Sequence, residues 1–141
     1  MLVVVAAVVL TGCTLAEGLG PEPTSTSAAD VGQSSPAQIE LQIGQNARVA
    51  SVTITFVRVS DDSRCPRGVT CIWEGDATVE LRIQPEDGAV ELMSLHANPG
   101  FTQEATAARV RVRLVRLEPS PEADRPVAAG DYRVVLSAAV E

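Results

Sequence analysis

Three cysteines and one histidine carry the most reactive side chains of this 141-residue chain. Cys65 and Cys71 enclose a short segment that contains Pro66 and Gly68, two residue types that favour a turn. The third cysteine, Cys13, is assigned below to lipidation in an exported protein. In such a protein, two remaining cysteines imply a disulfide. We therefore predict a Cys65–Cys71 disulfide, whose closed ring would stabilise the fold by roughly 2 kcal/mol on the chain-entropy model.

A zinc site is the alternative use of these cysteines, with His96 as a third ligand and Asp61 or Asp62 as a fourth. The Cys-x5-Cys spacing differs from the Cys-x2-4-Cys spacing of zinc sites, so we predict no metal and no other cofactor. His96 is expected to be a surface residue at the end of a strand. The sequence has no nucleophile-elbow, serine–lysine, zinc-protease or phosphate-loop motif, so no catalytic residue is assigned and a non-enzymatic protein is predicted.

The first thirteen residues predict the compartment. An apolar run of about ten residues opens the chain, whereas a membrane-spanning helix needs about twenty, so residues 1–12 are predicted to be a signal peptide. The run ends in Leu10-Thr11-Gly12-Cys13, which resembles the lipobox of bacterial lipoproteins. The resemblance implies cleavage before Cys13, lipidation of its thiol and acylation, with palmitate for example, of the new amino terminus. It also implies a domain anchored to the cell membrane and facing the periplasm or the exterior.

The amino terminus departs from a typical signal peptide in its charge, and it allows one alternative. Residues 1–12 carry no positive charge, although signal peptides normally begin with one, so we expect the true start to lie upstream. The alternative is a buried strand of Val and Ala. A polar segment follows at once, however, and residues 13–37 are rich in Pro, Ser, Thr, Gly and Ala. Such a segment is predicted to be a disordered tether that spans on the order of 25–30 Å.

From residue 39 onward, apolar residues recur at every second position, which is the period of a β-strand with one buried face. The alternation slips by one residue after Phe56 and again after Leu114, and such a slip predicts a β-bulge. The window 105–108 is compatible with one helical turn. The predicted strands cover residues 39–43, 52–59, 77–83, 90–95, 110–117 and 132–138.

These strands predict an all-β domain over residues 38–141, with about six or seven antiparallel strands. The expected architecture is a sandwich, for which the immunoglobulin-like arrangement is one form, and a closed barrel is the alternative. The net charge of -7 argues against a nucleic-acid partner. Arg109, Arg111 and Arg113 are expected to keep one strand face in water, with Glu80 or Glu91 opposite, rather than to bind anions.

The cysteine segment also carries a recognisable pattern. It reads Asp62-Ser63-Arg64-Cys65-Pro66, then Gly68-Val69, then Cys71-x-Trp73-x-Gly75. The pattern, with the strands over residues 39–95, resembles small secreted or lipid-anchored bacterial proteins of unknown function. That resemblance implies a fold and a compartment but no activity.

Within this pattern, Arg64, Arg67 and Trp73 are candidates for a contact surface, because Arg and Trp dominate binding hot spots. The alternative is that the loop is only a disulfide-closed connection between strands. Trp73 is expected to cover the disulfide or the end of the sheet.

The sequence therefore predicts a lipid-anchored, non-enzymatic envelope domain that binds an envelope protein or a glycan, or that supports the envelope. One alternative is a protease inhibitor. Asn98-Pro99-Gly100-Phe101-Thr102 and Arg125-Pro126-Val127 resemble loop motifs of chagasin-like cysteine-protease inhibitors. A further alternative is a metal-dependent envelope hydrolase that uses Cys65, Cys71 and His96.

Overall fold

The computed structural model describes residues 35–141. The predicted signal peptide (1–12), the lipidation site Cys13 and nearly all of the tether lie outside the described residues. Eight strands and one 3-10 turn form the described part: β1 (Ala37–Gln42), β2 (Asn46–Val49), β3 (Val52–Asp62), β4 (Ala77–Pro85), β5 (Glu91–His96), β6 (Glu104–Ala107), β7 (Val110–Glu118), the turn Ala129–Asp131 and β8 (Arg133–Val140). No helix in this part of the chain is long and apolar enough to cross a membrane.

The strands form two four-stranded antiparallel sheets. Sheet A has the order β1-β8-β7-β6, and sheet B has the order β2-β3-β4-β5. The predicted all-β sandwich is confirmed, with eight strands rather than six or seven. The barrel alternative is wrong, because β1 and β6 are the edges of one sheet and β2 and β5 the edges of the other.

One hydrophobic core lies between the sheets. Every second residue of β4 from Ala77 to Ile83 is buried, and β7 alternates in the same way from Val110 to Leu114, as the period of two requires. Burying a large aliphatic or aromatic side chain of this kind stabilises the fold by about 1.5–3 kcal/mol. The largest fully buried side chains are Phe56, Ile54, Leu81, Ile83, Leu95, Leu136, Val52, Val79, Val110, Val112 and Val134.

Both predicted bulges are confirmed by the strand register. The pairing of β3 with β4 shifts between Phe56 and Arg58, and the pairing of β7 with β8 shifts between Leu114 and Arg116. In β7 the bulge returns Leu117 to the core, while Val115 at the bulge stays half exposed. The bulges therefore explain why the apolar phase of both strands slips.

The sequence patterns missed the two shortest strands, β2 and β6. The helical turn considered for residues 105–108 is wrong, because β6 occupies residues 104–107 and pairs with β7. The sequence of β6 is Glu-Ala-Thr-Ala, and alanine favours neither burial nor extension strongly. Its strand conformation comes from the hydrogen bonds to β7 rather than from its own residues.

Arg111 and Arg113 of β7, and Arg109 in the turn before it, are exposed as predicted, but the partners predicted for them are wrong. Glu80 and Glu91 lie in sheet B, where Glu80 forms a 2.9 Å ion pair with Arg58. In sheet A, Arg111 lies instead beside Glu104 on β6, with 3.7 Å between the charged groups. The error arose because the sequence does not show which strands are neighbours.

Candidate functional site

The segment that connects β3 to β4, residues 63–76, is the most distinctive loop of the domain, and we call it the disulfide loop. Cys65 and Cys71 form a disulfide with their Cα atoms 5.9 Å apart, as the sequence predicted. At the base, the Ser63 amide donates to the Asp76 carbonyl oxygen at 2.7 Å. The Cys65 amide donates to the Glu74 carbonyl oxygen at 2.9 Å. The base of the loop thus continues the β3–β4 ladder for a few residues.

Gly75 is required by the close approach of the two sides of this base. Its φ angle is +69°, a left-handed conformation that L side chains rarely adopt. A Cβ atom at this position would lie 1.8 Å from the Ser63 carbonyl oxygen. Only glycine therefore allows the loop to close onto Ser63.

Arg64, one of the predicted contact residues, has an internal role instead. Its guanidinium binds the Asp62 carboxylate through Nε and Nη2 at 2.8 and 2.7 Å. The same group donates to the carbonyl oxygens of Leu117 and Pro119, both at 2.8 Å. The side chain of Arg64 is only 15% exposed, so it ties the disulfide loop to the end of β7 and is not available to a partner.

The Asp62 carboxylate is the centre of this cluster. It also accepts a 2.9 Å hydrogen bond from the Tyr132 hydroxyl. Burial raises the pKa of Asp62, but the bonds from Arg64 and Tyr132 outweigh burial, and the net pKa is below the ordinary value. Burial first, then the hydrogen bond to Asp62 and the charge of that carboxylate, raise the pKa of Tyr132 to about 12.

Arg67, the second predicted contact residue, is exposed. Its backbone amide donates to the Pro121 carbonyl oxygen at 2.9 Å, and it forms an isolated bridge with Glu122. The main chain of the disulfide loop is therefore held against the β7–β8 loop, residues 119–128. The Arg67 side chain lies with Glu122, Asp124 and Arg125 around an open depression on this surface.

Residues 68–73 form the tip of the disulfide loop, and all six are exposed. Ile72 is 107% exposed, Trp73 60% and Val69 47%. Trp73, which was expected to cover the disulfide or the sheet end, has most of its surface in solvent. A neighbouring Ile and Trp on a braced loop form an apolar projection, and no sequence pattern predicted that Ile72 would be exposed there.

The sequence also missed an interaction between Asp76 and His96. His96 Nδ1 lies 2.6 Å from Asp76 Oδ2, and its ring packs against Phe101 with 5.4 Å between ring centroids. Asp76 Oδ1 accepts the Asn98 amide at 2.9 Å. Burial raises the pKa of Asp76, but the Asn98 amide, then His96 and then the Ala77 amide outweigh it and lower the net pKa.

This arrangement fastens the β5–β6 loop, residues 97–103, to the disulfide loop. Asn98 completes the attachment, because its side-chain Nδ2 donates to the Gly75 carbonyl oxygen at 2.7 Å. His96 is thus a partly exposed strand-end residue with a fixed partner, rather than a free surface side chain. A shallow cleft of about 230 Å³ lies between the three loops and includes Arg64, Glu74 and Asn98.

The disulfide removes two of the three ligands on which the hydrolase alternative depends. A disulfide sulfur carries no thiolate charge, whereas zinc binds cysteine as a thiolate. Within residues 35–141, no group of three or more His, Cys, Asp or Glu side chains is placed to hold a metal ion.

Comparisons with known proteins add no assignment. No family model, curated protein or solved structure matches the chain. The site is therefore interpreted from its own geometry, in which three loops are fastened together at one end of the sandwich and the tip projects from them.

Proposed function

We propose that this chain is a cell-envelope lipoprotein anchored through Cys13, and that its β-sandwich is a non-enzymatic binding domain. The contact surface is the tip together with Arg67. The observation that carries this proposal is the exposure of Ile72 and Trp73 side by side on a braced loop. Trp and Arg supply a large share of the energy at protein interfaces, and exposed apolar clusters mark interaction sites.

The bracing of the loop supports a binding role over a simple connection. A flexible loop loses side-chain and backbone freedom when it binds, and that loss weakens the complex. Arg64 binds Asp62 and the carbonyl oxygens at the end of β7, and we call these bonds the Arg64 clamp. The disulfide, Gly75 and the Arg64 clamp restrict the loop before any partner binds. These restraints reduce the entropy that the loop would lose on binding a partner.

The anchor is tested by the intact mass of protein expressed in a lipoprotein-competent bacterium. The expected mass is that of residues 13–141 plus diacylglycerol, with any further acyl chain. Cys65 and Cys71 should react with an alkylating agent only after reduction. An unprocessed chain with three reactive thiols would contradict both the anchor and the compartment.

Binding is tested with three variants of the lipidated protein. Ile72→Ser combined with Trp73→Ala removes the apolar tip, and Arg67→Ala removes the exposed cation beside it. Leu92→Ser is the matched control, because Leu92 is also an exposed aliphatic residue, 74% exposed, but lies on edge strand β5. Envelope components retained by the wild type and the control, and lost from both other variants, are the expected result. Equal retention by all variants would reject the tip as a contact surface.

A chagasin-like protease inhibitor is the second candidate function. The observation in its favour is that both motif-bearing loops, 97–103 and 119–128, adjoin the disulfide loop, since Asn98 bonds to Gly75 and Arg67 bonds to Pro121. An inhibitor of this kind needs neighbouring loops to enter a protease cleft together. Papain whose activity is unchanged at micromolar concentrations of this protein would eliminate this candidate.

A further inference from the structure

We infer that the partner of the tip is a folded protein with an apolar socket for Ile72 and Trp73. This inference rests on the proposed function and narrows its partner class. Three observations carry it: the direction of β1, the composition of the tip and the charges around it.

The direction of β1 places Ala37, where the described chain enters the sandwich, and the tip at opposite ends of the sandwich. Gln42, at the end of β1, pairs with Arg133, which in turn pairs with Glu118 beside the 119–128 loop. Ala37, where the chain enters β1, pairs with Ala138 at the other end of β8. Five residues of strand separate these levels by about 17 Å, and the disulfide loop extends beyond the near level. The tip is therefore remote from the point at which the preceding residues join the sandwich, and a partner can approach it without meeting that junction.

The composition of the tip fits a protein better than a glycan. Among residues 68–73, the side chains offer only the Thr70 hydroxyl and the Trp73 indole N–H as ordinary hydrogen-bonding groups, and no residue is charged. A sugar presents many hydroxyl groups, and burying them without hydrogen-bond partners is unfavourable. An aliphatic Ile72 that is fully exposed offers no such partner. An apolar socket lined by other side chains suits Ile72 and the Trp73 ring, with one acceptor at its edge for the indole N–H.

The charges around the tip fit the polar rim of a protein interface. The rim contains cations and anions in nearly equal number: Arg67, Arg125, Glu74, Glu122 and Asp124. Protein interfaces combine an apolar centre with a polar rim, and charges of both signs set the orientation of the partner. An anionic membrane surface attracts clusters of Lys and Arg instead, and the rim offers no such cluster.

The shape of the tip also disfavours a second copy as the partner. Two projecting tips can touch only over the few residues at their summits. A stable complex needs about 20–30 residues on each side, so the partner must enclose the tip and reach the neighbouring loops. A socket on a different protein provides that enclosure.

Trp73 supplies the probe, because it is the only tryptophan of the chain. 5-Fluorotryptophan incorporated into the full-length protein gives one fluorine signal, which reports contact at the tip.

A photo-crosslinking amino acid at position 72, in living cells, identifies the neighbouring protein, and the same amino acid at position 92 is the control. The identified protein is then purified and titrated against the fluorinated chain. Vesicles of phosphatidylethanolamine and phosphatidylglycerol, soluble peptidoglycan fragments and the chain itself at increasing concentration are titrated in parallel.

The expected result is an adduct specific to position 72, a shifted Trp73 signal with the purified partner, and at least a tenfold weaker affinity for Ile72→Ser than for Leu92→Ser. A shifted signal with vesicles, with glycan fragments or on self-association overturns the inferred partner class while leaving a binding role for the tip. If position 72 gives no specific adduct and no probe shifts the signal, the proposed function fails together with the inference.

Discussion

The Tyr132 hydroxyl donates a 2.9 Å hydrogen bond to Asp62 Oδ2 and thereby joins the two sheets. Asp62 ends β3 in sheet B, and Tyr132 directly precedes β8 in sheet A. The same carboxylate holds Arg64, which reaches the carbonyl oxygens at the end of β7. One carboxylate therefore couples the packing of the sandwich to the position of the disulfide loop.

The first prediction concerns the titration of Tyr132, the only tyrosine of the chain. Its absorbance should titrate near pH 12, because burial and the hydrogen bond to the charged Asp62 oppose ionisation. Asp62→Asn should move the midpoint toward the ordinary value of about 10. Because the folded pKa is raised, the stability that this group contributes is present below about pH 10 and is lost as the pH rises toward 12. A wild-type midpoint near 10 would show that the bond is absent.

The second prediction concerns the same carboxylate in acid. The folded-state pKa of Asp62 is lowered, so its contribution to stability is present above the unfolded pKa of about 3.9 and is lost as the pH falls through the folded pKa. At pH 7, Asp62→Asn should lower the free energy of unfolding by about 3 kcal/mol, because Arg64 loses its partner. Urea titrations between pH 2 and 7 should show this difference shrinking below about pH 4.

Asp61→Asn is the matched control for that experiment, since Asp61 is the adjacent carboxylate and is exposed. Its substitution should change stability by less than about 0.5 kcal/mol at any pH. If both variants behave alike, the effect comes from net charge and not from the Asp62 cluster.

The third prediction separates two glycines of the disulfide loop. Gly75→Ala should destabilise the fold by about 3–5 kcal/mol, because the new Cβ would collide with the Ser63 carbonyl oxygen. Gly68 also has a positive φ, +84°, but nothing lies within 4 Å of its Cβ position. Gly68→Ala should therefore cost only about 1–2 kcal/mol of backbone strain. Thermal denaturation of the two variants distinguishes these values, and equal losses would contradict the close approach at Gly75.

The contrast between Arg64 and Arg67 shows where sequence reasoning reaches its limit. Both follow from the same motif and both were predicted to contact a partner, yet only Arg67 is free to do so. The acceptors that engage Arg64 lie on β7, and Leu117 is 53 residues away in the chain. A pattern of residues that are neighbours in the sequence cannot show a contact over such a separation. The exposure of Ile72 and Trp73 is equally non-local, because it depends on what the surrounding loops leave uncovered.

Features that arise within one strand were predictable. The phase slip after Phe56 predicted a bulge because alternation is a property of consecutive residues. The pairing of Asp76 with His96 required the register of β4 and β5, in which Thr78 lies opposite His96. Asp76 is two residues before Thr78, so this register places it beside the end of β5. The identity of neighbouring strands, and not the strand pattern, was the missing information.

The fourth prediction concerns the β6–β7 hairpin. Its two-residue turn, Ala108-Arg109, has φ angles of +49° and +62°, and glycine or asparagine normally occupies such positions. Arg109→Gly should raise the stability of the domain by about 0.5–1 kcal/mol, since glycine adopts this conformation without strain. Arg109→Ala is the control that removes the side chain but retains the strain. If Ala stabilises as much as Gly, the gain comes from the lost side chain and not from the backbone.

The fifth prediction concerns the disulfide as a brace for the tip. Replacing Cys65 and Cys71 together by serine should lower the free energy of unfolding by about 2 kcal/mol on the chain-entropy model, because the ring they close is short. The sandwich core does not include either residue, so the folded strands should persist at neutral pH. The fluorescence anisotropy of Trp73 should fall, because the loop around it gains freedom. Unchanged anisotropy would show that Gly75 and the Arg64 clamp hold the tip by themselves, and that the disulfide contributes only to overall stability.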